Sequence, residues 1–264
     1  MLAAALWLPW APASANFALA VSPPRFEFEV PAGGTARQVL ELAHAGAAAG
    51  PYRVYSVDWT LDAAGELRFS EALLPGSCRP WVALERREVV MAPASKLRFR
   101  FEVTVPVGAE PTECRFALML EAGEAAVSGG PASVPMSGRI AVIVYARTGG
   151  VRADLKVVEH LVQTADGRSV PALRVSNLGR ATGRFTGFLS GRDAQGASFE
   201  LAPDALPVLP GMTRVVGLLP LAPLDRPSDA SPVLRAWPVS VKGTLELDGH
   251  PAVKVPLDAI FRIP

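Results

Sequence analysis

The sequence contains few of the residues that catalysis and metal binding use. It has three histidines and two cysteines in 264 residues. His44, His160 and His250 are isolated beside turns or strand ends, where we expect surface residues rather than ligands. No HExxH, GxSxG, GxGxxG or phosphate-binding loop is present. Because catalysis needs clustered acids, bases or nucleophiles, we predict that the protein is not an enzyme and binds no cofactor or metal.

The chain also lacks an excess of charge of either sign. It carries 26 basic and 25 acidic residues, for a net charge of +1. Nucleic acids and anionic membranes attract proteins through a strong positive field, which this balance does not supply. We therefore predict protein partners rather than nucleic acid.

No hydrophobic run is long enough to cross a bilayer. The apolar stretch over residues 2–11 is short and contains Pro9, so no stable membrane span is predicted. Ala13-Ser14-Ala15 follows it and matches a signal-peptidase site. The pattern predicts a signal peptide within residues 1–20, cleaved after Ala15 or after Ala20, and a periplasmic protein. A buried N-terminal strand or a short membrane anchor is the alternative, since no Lys or Arg precedes the run.

The two cysteines, Cys78 and Cys114, bear on this prediction. In an oxidising compartment a chain with two cysteines usually forms a disulfide, and this pairing is our expectation. A loop of about 35 residues closed in this way adds about 3–4 kcal/mol to stability. Two separate buried thiols are the alternative. No CxxC motif indicates a redox enzyme.

Proline, glycine and alternating apolar residues are abundant. There are 25 prolines and 23 glycines, and turn signals recur roughly every 8–15 residues. Between them the sequence alternates apolar and polar residues, which is typical of half-buried strands. The predicted strands cover residues 26–30, 39–42, 52–59, 66–69, 81–84, 88–91, 97–103, 114–120, 139–145, 155–158, 172–177, 184–189, 199–201, 213–219, 239–247 and 252–257. We predict an all-β fold of two sandwich domains, residues 21–148 and 151–264.

Residues 22–28 (SPPRFEF) resemble the opening of the periplasmic pilus chaperones of the PapD-like superfamily, in which an S/T-x-x-R segment leads into the first strand. Residues 52–59 are similar to the aromatic-rich third strand of that family, and residues 140–147 to the last strand of its first domain. The resemblance covers most of the mature chain as a spaced pattern. It implies two immunoglobulin-like domains.

The resemblance also implies a mechanism. Chaperones of this family insert the last strand of their first domain into an exported pilin-like subunit that lacks a strand of its own. It thus implies a non-catalytic periplasmic protein that binds exported pilus or fimbrial subunits by edge-strand addition, with an outer-membrane usher as a further partner. An immunoglobulin-like scaffold or adhesion protein without chaperone activity is the alternative, and an accessory domain of an exported hydrolase system is a third.

In the family, a first-strand arginine and a last-strand lysine bind the terminal carboxylate of the subunit, for which a guanidinium offers paired donors. Arg25 matches the arginine, and its alternative role is that of an exposed strand residue paired with Glu27. Val142 occupies the position of the lysine. Arg139 and Arg147 are the candidates to replace it.

The strand that enters the subunit corresponds to residues 131–138. Val134 and Met136 alternate there and are the predicted partner-binding side chains. Pro135 removes a backbone donor and Gly138 adds no side chain, so a flexible loop is the alternative.

Overall fold

The protein consists of strands and turns. The computed structural model describes residues 18–122, 125–126, 135–136, 138–165, 167–222, 234 and 236–263. Within these ranges it contains twenty strands and one 3-10 helix of three residues, Arg79–Trp81. The prediction of an all-β fold is confirmed.

The strands fall into two compact units. The first unit contains the residues up to Asp58, Ser70–Val107 and Cys114–Ala146, and the second contains Trp59–Phe69, Gly108–Glu113 and the residues from Arg147 onward. The first twelve strands are β1 (Leu19–Ser22), β2 (Arg25–Glu29), β3 (Thr35–His44), β4 (Gly50–Leu61), β5 (Leu67–Ser70), β6 (Val82–Leu84), β7 (Glu88–Met91), β8 (Ser95–Thr104), β9 (Thr112–Ala122), β10 (Ala125–Ala126), β11 (Pro135–Met136) and β12 (Arg139–Thr148). The other eight are β13 (Leu155–Ala165), β14 (Arg168–Asn177), β15 (Phe185–Thr186), β16 (Leu189–Arg192), β17 (Ser198–Pro203), β18 (Thr213–Pro220), β19 (Val239–Leu247) and β20 (His250–Phe261).

The first twelve strands form two main sheets. One has the order β1-β3-β8-β6, and the other has the order β2-β12-β9-β4-β5, with β7 paired to β4. Strands β1 and β2 can be counted as the two halves of strand A. The two sheets then have the orders A-B-E-D and G-F-C, which are those of an immunoglobulin-like sandwich. The chain changes sheet at Pro23 and Pro24, and the Ser22–Pro23 peptide bond is cis.

Aromatic rings from both sheets meet in the core of this sandwich. The ring of Phe101 on β8 lies 5.1 Å from that of Phe26 on β2 and 6.4 Å from that of Phe116 on β9. All three side chains are buried. Burial of side chains of this size supplies the largest part of the free energy that holds two such sheets face to face.

The disulfide prediction is confirmed. Cys78 and Cys114 are bonded, with their Cα atoms 5.6 Å apart, across 36 residues of chain. The bridge joins the segment before the 3-10 helix to the start of β9. Both cysteines are buried, so the bond is a structural one.

The strands from β13 onward form one continuous hydrogen-bonded path. Its order is β13-β14-β18-β17-β16-β19-β15, with β20 paired to β19. Strand β17 pairs with both β16 and β18 and so joins two faces. In immunoglobulin letters β13, β14 and β18 correspond to A, B and E, and β16, β19 and β20 correspond to C, F and G, with β17 between the two sets. The predicted second sandwich is confirmed.

One predicted strand, residues 184–189, is divided. Strands β15 and β16 both pair with β19 but are separated at Gly187, which has a φ of +116°. A Cβ atom at Gly187 would lie 2.9 Å from the carbonyl oxygen of Thr244. The chain turns aside at a position that only glycine occupies easily.

The expectation that His44 is a surface residue is wrong. His44 is buried, and the Tyr52 hydroxyl lies 2.8 Å from its Nδ1 atom, while its Nε2 atom lies 2.8 Å from the carbonyl oxygen of Ala48. Both ring nitrogens are therefore satisfied inside the protein. Burial also raises the pKa of the Tyr52 phenol. His160 is exposed, with its ring against Phe261.

Candidate functional site

Strand β12 is an apolar strand of the first sandwich that lies beside a short edge strand. It is ten residues long and lies between β9 and β2. Strand β2 has five residues, so it can pair with at most half of β12. Along the rest of that edge no other described strand is adjacent to β12. Backbone N–H and C=O groups on such an edge can pair with an added strand.

Strands β3 and β8 are also longer than their neighbours at the sheet edge, β1 and β6. Unlike the middle of β12, they carry charged side chains. On β3, Arg37 pairs with Glu102 at 2.6 Å and Glu41 pairs with Lys96 at 3.0 Å. Charged residues on an edge discourage the pairing of foreign strands. Strand β12 has no charged residue over positions 140–146. Its open edge is therefore the one that an added apolar strand would meet most readily.

Arg25 begins β2, beside β12. Its Nε atom lies 2.8 Å from Oε1 of Glu27, and its side chain keeps 41% of its exposure. The two residues share one face of the strand, whereas Phe26 between them points into the core. Pairing with Glu27 was the alternative role that the sequence analysis gave for Arg25. The ion pair leaves the Arg25 guanidinium accessible to solvent.

Arg139, at the start of β12, belongs to a group of charged side chains around Glu121 of β9. Its Nε atom lies 2.8 Å from Oε1 of Glu121. Arg53 donates to Glu121 Oε2 from Nη2 at 2.7 Å and from Nε at 3.1 Å, and the Tyr55 hydroxyl donates at 3.2 Å. The hydrogen bond from Arg53 is the main reason that the pKa of Glu121 is lowered. Arg139 thus already has a carboxylate partner.

Arg147 is more enclosed. Its Nε atom donates to Oε2 of Glu113 at 3.1 Å, and the two side chains retain 13% and 1% of their exposure. Glu113 also accepts hydrogen bonds from the backbone N–H and the hydroxyl of Thr182. All three residues fall in the second unit. A buried carboxylate with this many donors is an internal partner for Arg147, and leaving it unpaired would be costly.

The sequence contained a signal for these two ion pairs that our reading missed. Glu113 and Glu121 are eight residues apart on β9, and Arg139 and Arg147 are eight residues apart on β12. Opposite charges with equal spacing on adjacent antiparallel strands can face each other in register. The structure brings both pairs together. Arg147 is enclosed, whereas Arg25 and Arg139 keep 41% and 56% of their side-chain exposure, each in an ion pair with a glutamate.

Of the two apolar side chains predicted to bind a partner, Met136 and Val134, one lies on a described strand. Met136 lies in β11, where its backbone pairs with Ala125 of β10. Val134 lies outside the described residues. Val142, at the position that the resemblance assigns to a lysine, is buried in the core.

Two kinds of site are absent from the described ranges. No three His, Cys, Asp or Glu side chains in them are grouped so that they could bind a metal ion. No helix among these residues is long and apolar enough to cross a membrane.

The fold is similar to that of several solved chaperones. The YadV chaperone matches 92% of this chain over 99% of its own, with 11% identity and a TM-score of 0.48. The SafB chaperone of Salmonella enterica, solved with the SafA pilin, matches 94% of this chain over 98% of its own, with 12% identity and a TM-score of 0.49. The CupB2 chaperone of Pseudomonas aeruginosa matches 92% over 100%, with 11% identity and a TM-score of 0.46.

No protein-family model matches this chain, and no curated protein matches its sequence. In fold, the chain is similar to chaperones of the class that residues 22–28 resemble, and the similarity extends over most of its length.

Proposed function

We propose that this protein is a non-catalytic periplasmic chaperone that binds an exported β-rich subunit of the pilus or fimbrial type by strand addition along β12. The observation that carries the proposal is the edge of β12 beyond the short strand β2, which no other described strand covers and which has no charged residue over positions 140–146. An incoming strand would gain backbone hydrogen bonds there and place alternate apolar side chains against the sheet. Such a contact protects the strand edge of an incomplete subunit from aggregation.

Arg25 is the proposed charged anchor. It begins β2, the strand next to β12, and keeps 41% of its side-chain exposure in its ion pair with Glu27, whereas Arg147 is enclosed by Glu113. A carboxylate of the subunit would join or replace Glu27 as its partner. A charge-assisted hydrogen bond of this kind is stronger than a neutral one and fixes the register of the added strand.

Capture of a subunit in the native periplasm tests the proposal. Tagged wild type, Arg25→Ala and the matched control Arg98→Ala would be purified side by side, and bound proteins identified by mass spectrometry. Arg98 is also an exposed strand arginine of the first unit, but it lies on β8. We expect wild type and Arg98→Ala to retain the same small exported β-rich protein, and Arg25→Ala to retain about tenfold less.

The opposite result is equally clear. Recovery of all three proteins alone, or with one large partner in equal amounts, would contradict strand addition anchored at Arg25. It would favour a scaffold that uses the same fold for other contacts.

A further inference from the structure

A polar cleft lies in the first unit, apart from β12. Its volume is about 480 Å³, and β4, β6 and the segments around Glu71 and Arg87 form its walls. Three arginines line it, together with the hydroxyl groups of Tyr55 and Ser56. A concave site with several convergent polar groups is the usual form of a small-ligand site.

Arg79 is held rigidly in this cleft. Its Nε atom donates to Ser56 Oγ at 3.2 Å, its Nη1 atom donates to the carbonyl oxygen of Glu71 at 2.8 Å, and Nη1 lies 3.5 Å from Oδ2 of Asp58. Asp58 is buried and also accepts from the backbone N–H of Leu74 at 2.9 Å. Because these contacts fix the guanidinium before any ligand arrives, little conformational freedom would be lost on binding.

Arg53, another arginine of the cleft lining, is also held in place by its contacts. Its guanidinium carbon lies 4.0 Å from the centre of the Tyr55 ring, and its Nε and Nη2 atoms both donate to Glu121. Glu71 lies 3.6 Å from Nη2 and retains 58% of its side-chain exposure. The Glu71 carboxylate can therefore still accept hydrogen bonds from a ligand.

Arg87 differs from Arg53 and Arg79 in that no hydrogen bond or ion pair among the described residues holds its side chain in place. It is exposed, and within the described part of the chain its side chain has no hydrogen-bond or ion-pair partner. The other cations of this region face carboxylates: Arg53 and Arg139 face Glu121, and Arg79 faces Asp58. Of the three arginines that line the cleft, Arg87 is therefore the one whose side chain has no carboxylate partner among the described residues.

We propose that this cleft binds a small carboxylate ligand of net charge −1 that also carries hydroxyl or ammonium donors. Arg87 would bind the carboxylate through its planar pair of N–H groups, and Glu71 would accept from the donors. Val82 and Leu84 of β6 supply an apolar wall. One guanidinium without a carboxylate partner matches a singly charged carboxylate better than a doubly charged phosphate, which would leave one charge unpaired. The site is separate from the strand edge of the proposed function.

Acidic sugars and acidic amino acids both have this chemistry, so each supplies a probe. Full-length mature protein labelled with ¹⁵N would be titrated with D-glucuronate, L-glutamate, D-glucose and inorganic phosphate at physiological ionic strength, which screens weak surface attraction. The variants are Arg87→Gln and the matched control Arg98→Gln, an exposed arginine outside the cleft.

We expect one of the two carboxylates to shift the amide signals around the cleft and to saturate, while glucose does not. Arg87→Gln should weaken this binding about tenfold, and Arg98→Gln should leave it within about twofold. The tighter of the two carboxylates identifies the source as an acidic sugar or a free amino acid. Absence of saturation with both carboxylates, tighter binding of phosphate, or equal losses in both variants would overturn the proposal. Capture of a subunit through β12 is measured independently, so failure of one proposal leaves the other standing.

Discussion

At the residue scale, many charged side chains in this protein are held by partners across strands. Glu121 accepts from two arginines and a tyrosine, and Glu113 is enclosed by Arg147 and Thr182. Arginines that look unpaired in the sequence are therefore members of ion pairs across strands. The side-chain positions that decide this depend on strand register, which alternation alone does not specify.

The ion pairs of Glu121 predict a pH dependence of stability. Its pKa is lowered in the folded state, mainly by the hydrogen bond from Arg53. The stabilisation is thus present above the unfolded glutamate pKa of about 4.3 and is lost as the pH falls through the folded value. Urea unfolding should find Glu121→Gln less stable than wild type by about 1 kcal/mol or less at neutral pH. The difference should vanish in acid, and a gap that stays constant with pH would contradict this role.

The disulfide gives a second prediction at this scale. Replacing Cys78 and Cys114 together with alanine removes a crosslink across 36 residues and should lower the free energy of unfolding by about 3 kcal/mol. Denaturant unfolding measures the loss, and reduction of the wild type provides the control, because it breaks the same bond without changing the packed side chains. Equal stability of oxidised wild type and the double variant would contradict a stabilising bridge.

At the element scale, alternation located most strands but not their limits. Residues 239–247 coincide with β19, whereas residues 184–189 form two strands divided at Gly187. Strand β1 was not predicted, since its residues overlapped the expected signal peptide. Local patterns do not contain the tertiary pairing that made these differences, such as the pairing of Leu19 with His44.

Strand β1 predicts which signal-peptidase site is used. Leu19 is buried and pairs with His44, and the carbonyl oxygen of Ala18 accepts a hydrogen bond from Ala45. Cleavage after Ala20 would remove half of this strand, so we expect the exported protein to begin after Ala15. N-terminal sequencing of periplasmic protein checks this. A chain that begins at Val21 and is as heat-stable as one that begins at Asn16 would contradict the importance of β1.

The close approach of the chain at Gly187, between β15 and β16, predicts that adding one methyl group there lowers stability strongly. Gly187→Ala places a Cβ atom 2.9 Å from the Thr244 carbonyl oxygen at a φ of +116°. Gly196→Ala is the matched control, because Gly196 also has a positive φ, of +85°, but no heavy atom within 4 Å of its Cβ position. We expect the control to cost about 1 kcal/mol and Gly187→Ala to cost about 3 kcal/mol or more in thermal unfolding. Equal losses would show that the close approach is unimportant.

At the scale of the whole molecule, the sequence predicted the class of fold and, through residues 22–28, the kind of protein it resembles. It did not predict the arginine cleft, because Arg53, Arg79 and Arg87 are distant in sequence and converge only when the two sheets of the first unit face each other. Sites assembled from several strands depend on the topology of the fold, and function resides in such sites rather than in the fold itself.

The central claim is that a partner strand adds to the open edge of β12. Amide hydrogen exchange on the free protein and on the complex captured from the periplasm tests it most directly, since exchange reports which backbone N–H groups become hydrogen-bonded. Strand addition predicts slower exchange in β12 and β2 on binding, with β13 and β20 of the second unit unchanged. Slower exchange confined to other strands, or no change in β12, would contradict strand addition at this edge.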